Sequence, residues 1–116
     1  MTRIEYLVEL KERLRLLGLP IFYELPEPSI MEPFAVLGIS TGIVMPTKTG
    51  KPINDNMQQI DIYLPASDGR ANAERILDTA MRLVARSQTV STQILRDDTI
   101  GRDTFHLVLR ITNYIY

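Results

Sequence analysis

Gln58-Gln59-Ile60-Asp61-Ile62-Tyr63-Leu64-Pro65 alternates apolar and polar residues, and Ala66-Ser67-Asp68-Gly69 then leads into a helical pattern that begins near Arg70. The hydrophobic period changes from two residues to about 3.6 across this stretch, which identifies a strand, a turn and a helix. Ala73, Ile76, Leu77, Ala80, Met81 and Val84 mark the apolar face of the helix. Ser67 or Asp68 is placed to accept a hydrogen bond from a first-turn amide, while Arg82 and Arg86 stand near the last turn, where positive charge is favoured. The polar face carries Arg75, Asp78, Arg82 and Arg86, with Asp78 and Arg82 at ion-pair spacing. Such a face is either solvated or a charged contact surface with another subunit.

On the N-terminal side, Ile4, Leu7, Val8, Leu14 and Leu17 recur at helical spacing between Arg3 and Leu17, with charged residues opposite. Gly18 is positioned as a C-terminal cap, and Pro20 blocks continuation. Ile21-Phe22-Tyr23-Glu24 favours extended structure and is cut off by Pro26 and Pro28, so it reads as an edge strand. Pro33 to Ser40 is apolar on both alternating sets, the pattern of a strand covered on both faces. From Thr41 to Asn56 glycines, prolines, lysines and asparagines follow one another without a sustained period. This predicts a long loop, and loops of that length tend to be functional or disordered.

On the C-terminal side, Thr89 to Arg96 is β-branched and alternating, residues 97–102 read as a turn, and Phe105, Leu107, Leu109 and Ile111 alternate along a last strand. The two strands predict a hairpin. The whole order predicts one α+β domain over residues 1–116: a two-layer sandwich of a mixed or mostly antiparallel sheet with both helices on one face.

Bulk composition narrows the chemistry. The 116 residues fall in the size range of one domain able to bury a core without metal or disulfide staples, and 45% hydrophobic with 23% charged residues is ordinary globular composition. Thirteen basic and fourteen acidic residues leave a net charge of −1, which provides no general attraction for nucleic acid or an anionic membrane. The absence of cysteine removes disulfides, thiolate nucleophiles and sulfur-ligated metals. The N-terminus lacks the pattern of a secretory signal, and no window approaches the roughly 18 apolar residues of a membrane span. A soluble protein without cofactor or metal is the expectation.

Few residues offer reactive chemistry. His106 is the one histidine and shares a strand face with Val108 and Arg110. Asp61, on the face of Gln59 and Tyr63, would meet Arg110 or His106 if the last strand lies beside it, as a cross-strand ion pair. Thr49-Gly50-Lys51 looks like a fragment of a phosphate loop, but Pro52 replaces the required hydroxyl residue. Asp97, Asp98 and Asp103 lack the spacing of a calcium loop and read as a solvated turn. Tyr114-Ile115-Tyr116 at the C-terminus suits a sheet edge or an interface.

The order of a helix, an Ile-Phe-Tyr strand followed by Pro26 and Pro28, Pro33-Phe34-Ala35-Val36-Leu37-Gly38, a polar loop, Gln59-Ile60-Asp61-Ile62-Tyr63, a helix and a hairpin resembles the small tail-terminator, or tail-completion, proteins of long-tailed non-contractile phages. That resemblance implies a virion protein forming a ring, usually a hexamer, at the head-proximal end of the tail. The ring ends polymerisation of the tail-tube protein and meets the head connector, without catalysis. Candidate interface residues are then Lys48, Lys51 and Asn54 in the 41–56 stretch, Arg75, Asp78, Arg82 and Arg86 on the second helix, and Tyr114 and Tyr116. A head-side neck component is the nearest alternative; a small hydrolase using His106 and Asp61, or a monomeric binding module, belongs to other classes.

Overall fold

The computed structural model describes residues 3–38, 41–45, 53–84, 89–97 and 102–115. Helix α1 (Arg3–Leu14) passes into a short 3-10 turn at Arg15–Leu17. Gly18 ends it with φ 75°, donating its backbone N–H to the Arg15 carbonyl at 3.0 Å. Only glycine adopts this left-handed cap without a Cβ penalty. Strands β1 (Ile21–Phe22), β2 (Phe34–Leu37), β3 (Thr41–Met45) and β4 (Ile53–Pro65) follow. A 3-10 turn at Ala66–Asp68 leads into α2 (Arg70–Val84), and β5 (Thr89–Asp97) and β6 (Thr104–Ile115) close the order.

The sheet runs β1-β2-β4-β6-β5, with β3 paired to β4 beside the β2 pairing. The β1–β2 pair is parallel and the remaining pairs are antiparallel, so the sheet is mixed. Both helices pack on one face. Leu10 and Leu14 of α1, and Ala73, Leu77, Ala80 and Val84 of α2, join Leu37, Ile60, Ile62, Leu64, Leu107, Leu109 and Ile111 in the main core. Alanines at 73 and 80 leave room for the helix backbone to approach the branched side chains of the strands. The expected α+β sandwich with two helices on one face is the observed fold. So are the C-terminal hairpin and the fully buried strand at Phe34–Leu37, which lies between β1 and β4.

The 41–56 stretch differs from the expected long loop. Thr41–Met45 and Ile53–Asn56 pair with each other as strand, and the beginning of β4 pairs on its other side with the end of β6. Residues 46–52 lie outside the described residues. Leu37 of β2 pairs with Ile60 and Thr41 of β3 with Met57, so Gln58 and Gln59 lie between the two pairings on β4. Gln58 is buried at that point and donates from Nε2 to the carbonyls of Gly38 at 2.6 Å and Gln59 at 3.0 Å. Beyond Gln58 the described core stops, and Met57 is 44% exposed. The β3, β4 and β6 ends therefore form an arm leaving the helix-covered body, and the molecule measures 53 × 26 × 22 Å.

Candidate functional site

The sheet face away from the helices carries a polar cluster. Strand alternation places Gln59, Asp61 and Tyr63 of β4 and His106, Val108 and Arg110 of β6 on that face. His106 faces Tyr63 directly in the register, and their rings stack at 4.4 Å with 16° between planes. Tyr63 in turn packs against Phe34, whose ring lies 5.2 Å away.

Two carboxylates flank the imidazole diagonally. Nε2 of His106 is 2.6 Å from Oδ1 of Asp61, and Nδ1 is 3.2 Å from Oδ2 of Asp97. The protonated ring donates to both. Burial by itself pulls the His106 pKa down, but the hydrogen bonds and charges of Asp61 and then Asp97 outweigh it and hold the pKa above its ordinary value. Burial, and then the same two carboxylates, raise the pKa of the Tyr63 hydroxyl. Gln59 extends the cluster, donating from Nε2 to Asp61 at 3.0 Å and accepting from Nε of Arg110 at 3.2 Å.

The predicted cross-strand partnership of Asp61 with His106 is present. Asp97, expected in a solvated turn, is the second partner, because antiparallel pairing folds the end of β5 back beside His106. Asp103 pairs with Arg96 at 2.5 Å, and this bond holds its carboxyl below the usual range. With a carboxylate at each nitrogen, both N–H groups of the protonated His106 ring are engaged within the cluster. The cluster is arranged to tie three strands together.

A second unforeseen element is a clasp around Arg102. Its Nε lies 2.8 and 2.7 Å from the two Glu32 oxygens, Nη1 donates to the Pro28 carbonyl at 2.7 Å, and Nη2 to Ile30 at 2.6 Å. The Glu32 side chain is 3% exposed. The guanidinium thus fastens the 28–32 segment beside a cleft of about 390 Å³ that Met31, Pro65 and Asp103 also line. Sequence reasoning had no signal for a pair separated by 70 residues.

The predicted interface residues fall in three groups. Arg75, Asp78 and Arg82 are exposed on α2, and the ion pair on that helix is Arg70 to Glu74 at 3.5 Å. Asn54 and Tyr114 belong to the paired arm, opposite Ile115 and Asp55 respectively. Lys48, Lys51, Arg86 and Tyr116 lie outside the described residues. Among the described residues, the structure does not bring the α2 face and the arm into one site.

No protein-family model matches the chain, and no curated protein does. The fold is shared with a chain of a solved structure described as the virion of a native gene transfer agent particle, at TM-score 0.62 and 15% identity, covering 91% of this chain and 92% of that one.

Proposed function

We propose that this chain is a structural virion protein that forms a ring at the head-proximal end of a tail tube, ending tube polymerisation and joining tail to head. The observation that carries the reading is the fold likeness to a chain of a virion particle over nine-tenths of both chains. It agrees with the order of elements that resembles tail-completion proteins.

A head-to-tail ring needs two different surfaces on each subunit. The exposed Arg75, Asp78 and Arg82 of α2 supply a charged one, with Arg86 following in sequence. The arm, with Asn54 and Tyr114 in its strands and Lys48 and Lys51 between β3 and β4 in sequence, supplies reach toward a neighbouring ring or tail-tube subunit. The saturated hydrogen bonding of His106 argues against the hydrolase alternative, since a general base needs a nitrogen free to accept a proton.

The test is removal of the protein from a particle-producing system, with tails imaged by electron microscopy. Overlong tails and unjoined heads are expected. Tails of normal length joined to heads would overturn the proposal. Joined heads lacking any tail defect on deletion of residues 48–54 alone would overturn only the role given to the arm. A monodisperse ring in light scattering and micrographs of the purified protein is the expected solution behaviour.

A further inference from the structure

Resting on the ring reading, we infer that β5 of one copy pairs antiparallel with β3 of its neighbour, so that the sheets of successive subunits join edge to edge. β5 pairs with β6 on one side, and β3 pairs with β4 on one side; neither has a second strand partner among the described residues. These are the two long open edges. The third edge, β1, has two residues and stands between Pro20 and Pro26, which removes donors from its surroundings.

Over most of their length the open edges lack the usual protection, the charged Arg96 and Asp97 standing only at the end of β5. Thr89-Val90-Ser91-Thr92-Gln93-Ile94-Leu95 and Thr41-Gly42-Ile43-Val44-Met45 contain no charge and no proline. Folded proteins usually blunt such an edge with lysine, proline or a cover, because its free amides and carbonyls template another strand. Ser91, Thr92, Gln93 and Leu95 are all exposed, so no side chain among the described residues covers the β5 edge at those positions.

Strand directions select the partner. β3 and β6 each run antiparallel to β4, and β5 runs antiparallel to β6, so β3 and β5 point in opposite directions. A ring axis close to the strand direction preserves those senses from copy to copy, and β5 meets the next β3 as an antiparallel pair, the more stable kind. One such operator satisfies both open edges of every subunit. A two-fold β5–β5 pairing would leave both β3 edges unpaired.

The two edges are staggered. Thr89 and Thr41 share one row through Thr112 and Met57, and the rest of each strand extends away from it in opposite senses. Joining them shifts each copy along the strand direction, and a closed ring takes up that shift as strand tilt, as closed barrels do.

The cysteine-free sequence makes the test direct. Gln93→Cys is combined in turn with Gly42→Cys, Ile43→Cys or Val44→Cys, and the full-length protein is oxidised. Within one chain the two edges are three strand spacings apart, roughly 14 Å, too far for a disulfide. A ladder of cross-linked multimers from at least one double variant, with single variants remaining uncross-linked, is expected. Dimers from Gln93→Cys alone would overturn the inference in favour of a two-fold contact. Scattering of the unoxidised wild type separates the two readings: an oligomer whose double variants never cross-link overturns the edge pairing and leaves the ring, whereas a monomer at every concentration overturns both. Thr92→Lys with Gln93→Lys supplies a second arm, because it charges the β5 edge at two exposed positions. It should shift the protein toward monomer while leaving its far-ultraviolet circular dichroism unchanged, and an unchanged oligomer would overturn the pairing.

Discussion

Asp61 and His106 meet at 2.6 Å although the register sets Asp61 opposite Val108 and His106 opposite Tyr63. The contact is diagonal, and Asp97 reaches the same ring along the matching diagonal from β5. The folded state therefore holds the His106 proton more tightly than the unfolded chain, whose reference pKa is 6.5. Stabilisation from this raised pKa is fully present below the unfolded value and is lost as pH rises through the folded one. Urea midpoints should fall across that interval, and His106→Gln should flatten the dependence. The sole histidine also gives one NMR titration, which must lie above the reference value.

Asp61→Asn removes the nearer charge while keeping an oxygen that accepts a hydrogen bond. The His106 titration should move down, and stability near neutral pH should drop by up to about 1.5–3 kcal/mol, the scale of a charge-assisted hydrogen bond. An unchanged titration would show that Asp97 alone sets the histidine's proton affinity.

Arg102→Ala strands a carboxylate that is 3% exposed, together with two backbone carbonyls. Loss of one partner of a buried pair costs about 3–5 kcal/mol. Arg102→Lys should recover little, since a lysine cannot match the guanidinium fork that serves Glu32, Pro28 and Ile30 together. Removing both charges in Arg102→Met with Glu32→Gln should cost less than Arg102→Ala alone, as a double-mutant cycle in urea would read.

Gly18 has φ 75°, and the space a Cβ would occupy there is open, so Gly18→Ala carries a backbone penalty and no clash. About 1 kcal/mol is expected from forcing an L-residue into this conformation. Gly18→Asn should cost less, because asparagine tolerates the left-handed region, and thermal melts of the two variants would rank them.

Core and arm should respond differently to truncation. Leu109 is fully buried between the helices and the sheet, and Leu109→Ala should cost about 2–5 kcal/mol. Met57 is 44% exposed at the root of the arm, and Met57→Ala should change stability by about 0.5 kcal/mol or less.

Much of the body was legible because its elements advertise their own period. The α2 stripe, the Gly18 stop, the Pro-bounded β1 edge and the doubly buried Phe34–Leu37 strand each follow from local residues. The arm was not, because Asn54, Asp55 and Asn56 have poor strand propensity and Gly42 offers no side chain to alternate. Pairing on both sides holds β4 extended there, and tertiary pairing overrides local preference. Of the polar cluster, Asp61 and His106 could be placed on facing strands, but Asp97 required knowing how far β5 overlaps β6. The Arg102–Glu32 clasp depends on two segments that meet only after the sheet has assembled.

The pairing of β4 with β6 continues unbroken from Pro65–Thr104 beneath the helices to Asn54–Ile115 in the arm. A pull along these strands loads their cross-strand hydrogen bonds in shear, many at once, instead of peeling them one after another. The arm is thus a spar whose root is the core itself: tension gripped at its tip is delivered to the helix-covered body without a hinge at which the two could part.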